Sequence, residues 1–351
     1  MNQKEIFLHD VLEGLTSSPK RLSSKYFYDD MGDKLFHKIM NQPEYYLTCA
    51  EHEILQTHSE SIFSNINTEN GIRIIEPGAG DGIKTKILIQ SLLLRGYDCI
   101  YNPIDISANV LDILCNSFRK IYPQLLCEPI VCDYANIGGK IPDDGLPRLM
   151  LFLGSNLGNY EHSDAISILK TFVGVLNKGD FFLLGVDMVK EPEIILAAYN
   201  DKNGYTAQFN YNLLQRINTE LDADINIDDF LHFPLYNPVQ QQAESYLVSK
   251  KEQNVLIGAS GDTIHFNQWE PIHTEISRKY TPEKIQEMAE KSGFKVVAPY
   301  YDMNSFYCCS LWEKKYELPY FYSNSPGIAT TTYACGVSGK EGVKSLATGK
   351  N

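Results

Sequence analysis

The sequence has no apolar run near the roughly 20 residues that a membrane-spanning helix requires. Its opening segment, MNQKEIFLHD, has no apolar signal region. Together these absences predict a chain that stays in the cytoplasm and has no membrane partner. No two of its eight cysteines (49, 99, 115, 127, 132, 308, 309 and 335) form a CxxC pair. A zinc site is therefore not expected and no metal is assigned. The thiols are expected to be reduced and mostly buried, because a free cysteine packs like a small hydrophobe. Positive charge is also short, with 31 Lys and Arg against 44 Asp and Glu and a net charge of -13. Nucleic-acid binding needs a basic face, so DNA and RNA are excluded as main partners, while a small cationic ligand is not. The sequence shows no repeat with a period of 20–50 residues.

What is present is an ordinary globular composition, 43% hydrophobic and 21% charged over 351 residues, a length that suits two compact units. Helical spacing is seen over 4–15, 33–40 and 50–64. From residue 72 the texture changes to short β-branched runs alternating with helical segments. Strands are expected at 72–75, 98–104, 128–131, 149–153 and 181–185, with helices at 84–94, 107–120 and 164–176. Such alternation implies a doubly wound parallel sheet. After about 190 the alternation stops: 191–235 reads as mostly helical and 241–277 as antiparallel strands. A helix over 281–292 follows, opened by Thr281 and Pro282, and then a strand pair over 295–299 and 306–311. Residues 317–351, rich in Ser, Thr, Gly and Tyr, are expected to form a weakly structured tail.

The candidate chemistry sits at strand ends. Glu76-Pro-Gly78-Ala-Gly80-Asp-Gly82 follows the first strand of the alternating region; such a loop is either a plain tight turn or a cradle that brings backbone close to a ligand. Asp105 ends the next strand, where a carboxylate can accept both ribose hydroxyls of an adenosine. Asp133-Tyr134 follows the third, an acid for an exocyclic amine and a ring for stacking. Three such sites in this order favour S-adenosylmethionine (SAM) over a nicotinamide cofactor. Phe152-Leu-Gly154-Ser-Asn-Leu-Gly158-Asn159-Tyr160 lies where ligands enter an open α/β sheet, although Ser155 or Asn159 could equally cap a helix there. The aromatic segments around Tyr28 and Tyr45 offer either a cleft wall or core packing. In His273-Thr-Glu275-Ile-Ser277, strand alternation puts Glu275 and Ser277 on one face, either solvated or directed at a cationic or imidazole ligand.

Taken together, the segments YFYDDMGDKLF, NQPEYYLTCAEHEIL, IIEPGAGDGIKT, NPIDIS, FLGSNLGNY, LLGVDMVKEPEIILAAYND, TAQFNYNLLQRINTELDADI and HTEISRKYTPEKI resemble one family. It is the histidine-specific SAM-dependent N-α-methyltransferases of the ergothioneine (trimethylhistidine) pathway, and the resemblance runs from about residue 20 to 315. It implies an α/β fold, with a Rossmann-like methyltransferase domain (59–190 plus 278–316) and an α+β substrate-binding domain (1–58 plus 191–277). It implies a SAM site at Tyr28, Gly78, Gly80, Lys84, Asp105, Asp133, Tyr134 and Gly154. It implies an amino-acid site in which Tyr45, Asn159 and Tyr199 surround the amino and carboxylate groups while Glu275 and Ser277 hold the imidazole. One position departs. The family's histidine enzymes usually carry Met within an EMxL-like segment, and this chain has Glu244-Ser245-Tyr246-Leu247. Ser245 either leaves space or positions a hydrogen bond.

The implied activity is SAM-dependent methylation of the α-amino group of L-histidine, with Tyr28 and Asn159 orienting the nitrogen. The alternative is the same chemistry on another amino-acid amine or on an imidazole ring nitrogen. A purely regulatory SAM-binding module is a poorer expectation, because it has no need of Tyr45, Tyr199 and Glu275 together. A nicotinamide oxidoreductase lacks an evident acid for hydride chemistry.

Overall fold

The computed structural model describes residues 2–133 and 136–315. The expectations placed on Tyr134 and on the 317–351 tail lie outside the described residues.

Helix α1 (Gln3–Thr16) starts where the Asn2 side chain accepts the Glu5 amide and Glu5 reaches back to the Asn2 amide, a reciprocal cap. Strand β1 (Lys20–Arg21) and helices α2 (Asp30–Met40) and α3 (Tyr46–Ser64) follow. Asp29 caps α2 by accepting from the Gly32 amide at 2.7 Å, so this helix begins before the apolar pattern does. The boundary expected near residue 58 falls inside α3.

The alternating region folds as read: β2 (Ile72–Pro77), α4 (Ile83–Leu94), β3 (Cys99–Asp105), α5 (Ala108–Ile121), β4 (Leu126–Cys127), β5 (Ile130–Val131), β6 (Arg148–Phe152), α6 (His162–Val175) and β7 (Phe181–Asp187). The strand expected over 128–131 is instead the two short pieces β4 and β5, because Pro129 between them has no amide for the ladder. The free-thiol expectation fails at one pair. Packing of α5 against β4 brings the Cα atoms of Cys115 and Cys127 to 5.9 Å, and the two are joined as a disulfide. Cys99, Cys132, Cys308 and Cys309 are buried free thiols, and Cys49 is an exposed one.

Beyond these come α7 (Pro192–Ala198), α8 (Tyr205–Leu221), β8 (Phe230–Asn237), β9 (Gln242–Ser249), β10 (Gln253–Ile257), β11 (Asp262–Phe266), β12 (Pro271–Arg278), α9 (Pro282–Ser292), β13 (Phe294–Tyr301) and β14 (Tyr307–Lys314). The helical reading of 191–235 is wrong at its end, where β8 begins. Pro234 is incompatible with a helix interior, whereas β8 lies at a sheet edge, paired only with β9, where a missing amide is tolerated.

The larger sheet has the order β13-β14-β7-β6-β2-β3-β4, with β5 also pairing β3. Strands β2 to β7 run parallel, β14 runs against them, and β13, antiparallel to β14, runs in their direction again. One face packs on α3, α4 and α5, the other on α6 and α9, giving the Rossmann-like, doubly wound architecture expected. Strand order reverses between β2 and β6, and ligands bind outside the carboxyl ends of the strands at such a point. A second sheet, β1-β12-β9-β8, shares a separate apolar core with α1, α2 and α8. Among the described residues no helix is long and apolar enough to cross a membrane.

Candidate active site

The first group of residues lines the carboxyl edge of the parallel strands. Gly78, Gly80 and Gly82 all have positive φ, at 71°, 53° and 64°, which glycine adopts without penalty. A side chain built at Gly80 meets nothing within 4 Å, so the loop is an open cradle. Below it Glu76 is buried and accepts from Thr85 at 2.6 Å and from Tyr101. Burial pushes its carboxyl up to about 7, against the pull of those two hydrogen bonds. Asp105, at the tip of β3, accepts from the Ser107 amide at 2.9 Å. Asp133 lies exposed beyond β5, where its charge reaches Tyr160, whose hydroxyl pKa is raised by burial and then by Asp133. Open glycine backbone and two carboxylates on successive strand ends fit the phosphate-free adenosine and sulfonium chain of SAM.

Gly154 joins this edge to a cleft. Its amide donates to both oxygens of Glu51, at 2.9 and 3.1 Å. Glu51 is 1% exposed and also takes Lys84 and the Tyr307 hydroxyl. Burial works against the Lys84 charge, but Glu51 outweighs it and the lysine pKa rises. A side chain at Gly185 would sit 2.1 Å from Glu51, so only glycine leaves room for this carboxylate beneath the sheet edge.

The cleft has about 510 Å³ of empty space, part of it open to solvent. Tyr28, Tyr45, Gly154, Asn159, Tyr199, Glu275 and Ser277 all line it, so residues spread over some 250 positions converge. Strand β12 delivers Glu275 and Ser277 alongside the turn Asn156–Asn159, and the two backbones are so close that a side chain at Gly158 would stand 2.9 Å from the Arg278 carbonyl. Tyr28 and Tyr45 both pack edge-on against Phe36, at 5.7 and 6.1 Å. Tyr45 has its hydroxyl pKa raised by burial and by neighbouring Tyr199, Tyr28 and Glu275. Ser245 does not line the cleft: it is buried beside Glu275, its Oγ 3.5 Å from Oε2. Burial pushes the Glu275 carboxyl up to about 7, while Lys279 and Ser245 pull it down.

Behind the cleft lies a buried polar network. Asp187, at the end of β7, accepts from Tyr46 at 2.9 and 2.8 Å and is paired with Lys190 and Lys279. Burial lowers the Lys190 pKa to about 8. Lys279 also reaches Tyr199 and Ser277.

A family model described as histidine-specific methyltransferase, SAM-dependent, matches residues 7–314. The chain belongs to that family. Among relatives of these methyltransferases, the histidine N-alpha-methyltransferase of Mycobacterium tuberculosis (strain CDC 1551 / Oshkosh) is 36% identical over 276 residues, covering 79% of this chain and 85% of the relative. That of Mycolicibacterium smegmatis is 36% identical over 291 residues, covering 82% and 88%. Ergothioneine biosynthesis protein 1 of Schizosaccharomyces pombe is 28% identical over 301 residues, covering 82% of this chain and 38% of that protein. The enzyme is therefore a SAM-dependent methyltransferase.

Sequence reasoning missed Glu51, Asp187 and Lys279. Two signals were available for this methyltransferase. Asp187 ends a parallel strand, as Asp105 does, and strand alternation that pairs Glu275 with Ser277 continues to Lys279. Glu51 left no signal, because a lone acid within a helical pattern reads as solvated.

Proposed function

We propose that the enzyme transfers methyl groups from SAM to the α-amino nitrogen of L-histidine, repeatedly, as far as the trimethyl betaine. The observation that carries this reading is the placement of Glu275 and Ser277 in the same cleft as Gly154 and Asn159. A carboxylate and a hydroxyl two residues apart on one strand face suit the two ring nitrogens of an imidazole. Tyr45, Asn159 and Tyr199 then surround the amino and carboxylate groups. Gly78, Gly80, Lys84, Asp105, Asp133 and Gly154 hold SAM, with Tyr28 between the two ligands. In this arrangement the β1-β12-β9-β8 sheet and its helices serve as the substrate-binding part. The activity belongs in the cytoplasm.

SAM supplies a methyl that is already electrophilic, so the protein's task is to hold the amine in line at near-attack distance. Tyr28 and Asn159 do this from the cleft wall. The amine must be neutral, and for a group with a pKa of about 8 this costs only about 1–2 kcal/mol near neutral pH. The aromatic wall of Tyr28, Phe36 and Tyr45 accepts a nitrogen that becomes bulkier and less polar with each transfer. The test is incubation with SAM and the twenty amino acids, read by mass spectrometry. Methylated histidine as the dominant product is expected, and methylation of a different amino acid in its place overturns the reading.

A further inference from the structure

Lys279 Nζ lies 2.8 Å from Asp187 Oδ2, 2.8 Å from the Tyr199 hydroxyl and 2.9 Å from Ser277 Oγ. An ammonium has three N–H donors and no acceptor, so all three are engaged and none faces the cleft. Tyr199 and Ser277 each accept from Lys279, and Tyr199 donates to Ser277 at 2.6 Å. Both lone pairs of the Ser277 oxygen are then occupied, and its own hydrogen has no acceptor among the described residues. Both side chains line the cleft. The pair therefore presents one O–H to a ligand.

We infer that Lys279 is a positioning residue that fixes this polarity, so that the Ser277–Tyr199 pair recognises a hydrogen-bond acceptor on the substrate. The inference rests on the histidine reading, and there the acceptor is the bare nitrogen of a neutral imidazole, the N–H of the other nitrogen going to Glu275. The choice of tautomer is thus set by Asp187 and Lys279, which do not line the cleft. Without the ammonium, the two hydroxyls are free to reverse, and the site no longer distinguishes an acceptor from a donor.

The experiment compares kcat/KM for histidine and for pyrrol-3-ylalanine, whose ring keeps an N–H but has no acceptor nitrogen, in the unmodified protein and in Lys279→Met. Asp187 keeps Tyr46 and Lys190 as partners in this variant, so its carboxylate is not left unpaired. The unmodified protein is expected to prefer histidine by about 100-fold or more. In Lys279→Met, histidine kcat/KM is expected to fall about tenfold or more, chiefly through KM, while that for the pyrrole changes by less than about threefold. Lys279→Gln, which also removes the charge, is expected to show the same pattern and replaces the Met variant if that one does not fold. Equal losses for both substrates make Lys279 merely structural and overturn the inference while leaving the histidine reading intact. An unmodified protein that does not methylate histidine removes both.

Discussion

Ser245 and Glu275 are register partners across the β9–β12 ladder, hydroxyl and carboxylate 3.5 Å apart. The position where this chain lacks the family's usual methionine thus touches the acid assigned to the imidazole. Burial pushes the Glu275 carboxyl up to about 7, and the Ser245 hydroxyl is one of two groups that pull it down. Ser245→Ala is therefore expected to raise that pKa further. An imidazole N–H needs the ionised carboxylate, so histidine affinity should fall as pH drops through about 7 and should fall at higher pH in the variant. Calorimetric titration with histidine across pH 6–9 checks this, and superimposable pH profiles would contradict it.

Glu275→Gln separates function from stability. An acid whose folded pKa is raised above its ordinary 4.5 to about 7 is neutral in both states at low pH and costs nothing there. The cost appears as pH rises through that window, because the folded state must carry a buried charge. The amide is expected to raise the melting temperature at pH 8 more than at pH 4.5, while weakening histidine binding. A melting temperature raised equally at both pH values rules out a charge-related origin.

Asp105→Ala addresses the cofactor. Losing hydrogen bonds from a charged acceptor to the ribose is expected to weaken SAM binding by about 1–3 kcal/mol. Calorimetry on a folded variant with unchanged affinity would remove Asp105 from that role.

Gly158→Ala tests how the two sheets cooperate. Its new side chain would meet the Arg278 carbonyl at 2.9 Å and the amide at 3.1 Å, both backbone atoms, so β12 must shift away from the Asn156–Asn159 turn. Loss of positioning by a fraction of an ångström is costly to catalysis. Histidine kcat/KM is expected to fall by about 100-fold with SAM affinity nearly unchanged. An equal loss of SAM binding places the damage on the sheet edge instead.

Much of the fold was legible because strand–helix alternation leaves a strong local signal, and acids and glycines at strand ends mark the ligand edge. Two of the errors share a cause: tertiary pairing overrode local pattern. Burial alternates only over the first four residues of Phe230–Asn237, and the segment is a strand to its end because β9 pairs along its whole length. Cys115 and Cys127 meet only because α5 folds onto β4. Tyr45, Asn159 and Glu275 stood in segments singled out on their own residues, whereas Tyr199 and the role of each came through the resemblance, since the four share no common local pattern. Their convergence depends on β12 crossing the Asn156–Asn159 turn, and that approach is visible only in the folded chain.

The most direct measurement is tandem mass spectrometry of the product formed from SAM and isotopically labelled L-histidine, following how many methyl groups are added and to which nitrogen. The expected result is successive mono-, di- and trimethyl products with every methyl on the α-nitrogen and an unmodified ring. Methyl groups on an imidazole nitrogen, or labelled histidine recovered unchanged while another amine is methylated, would contradict the account.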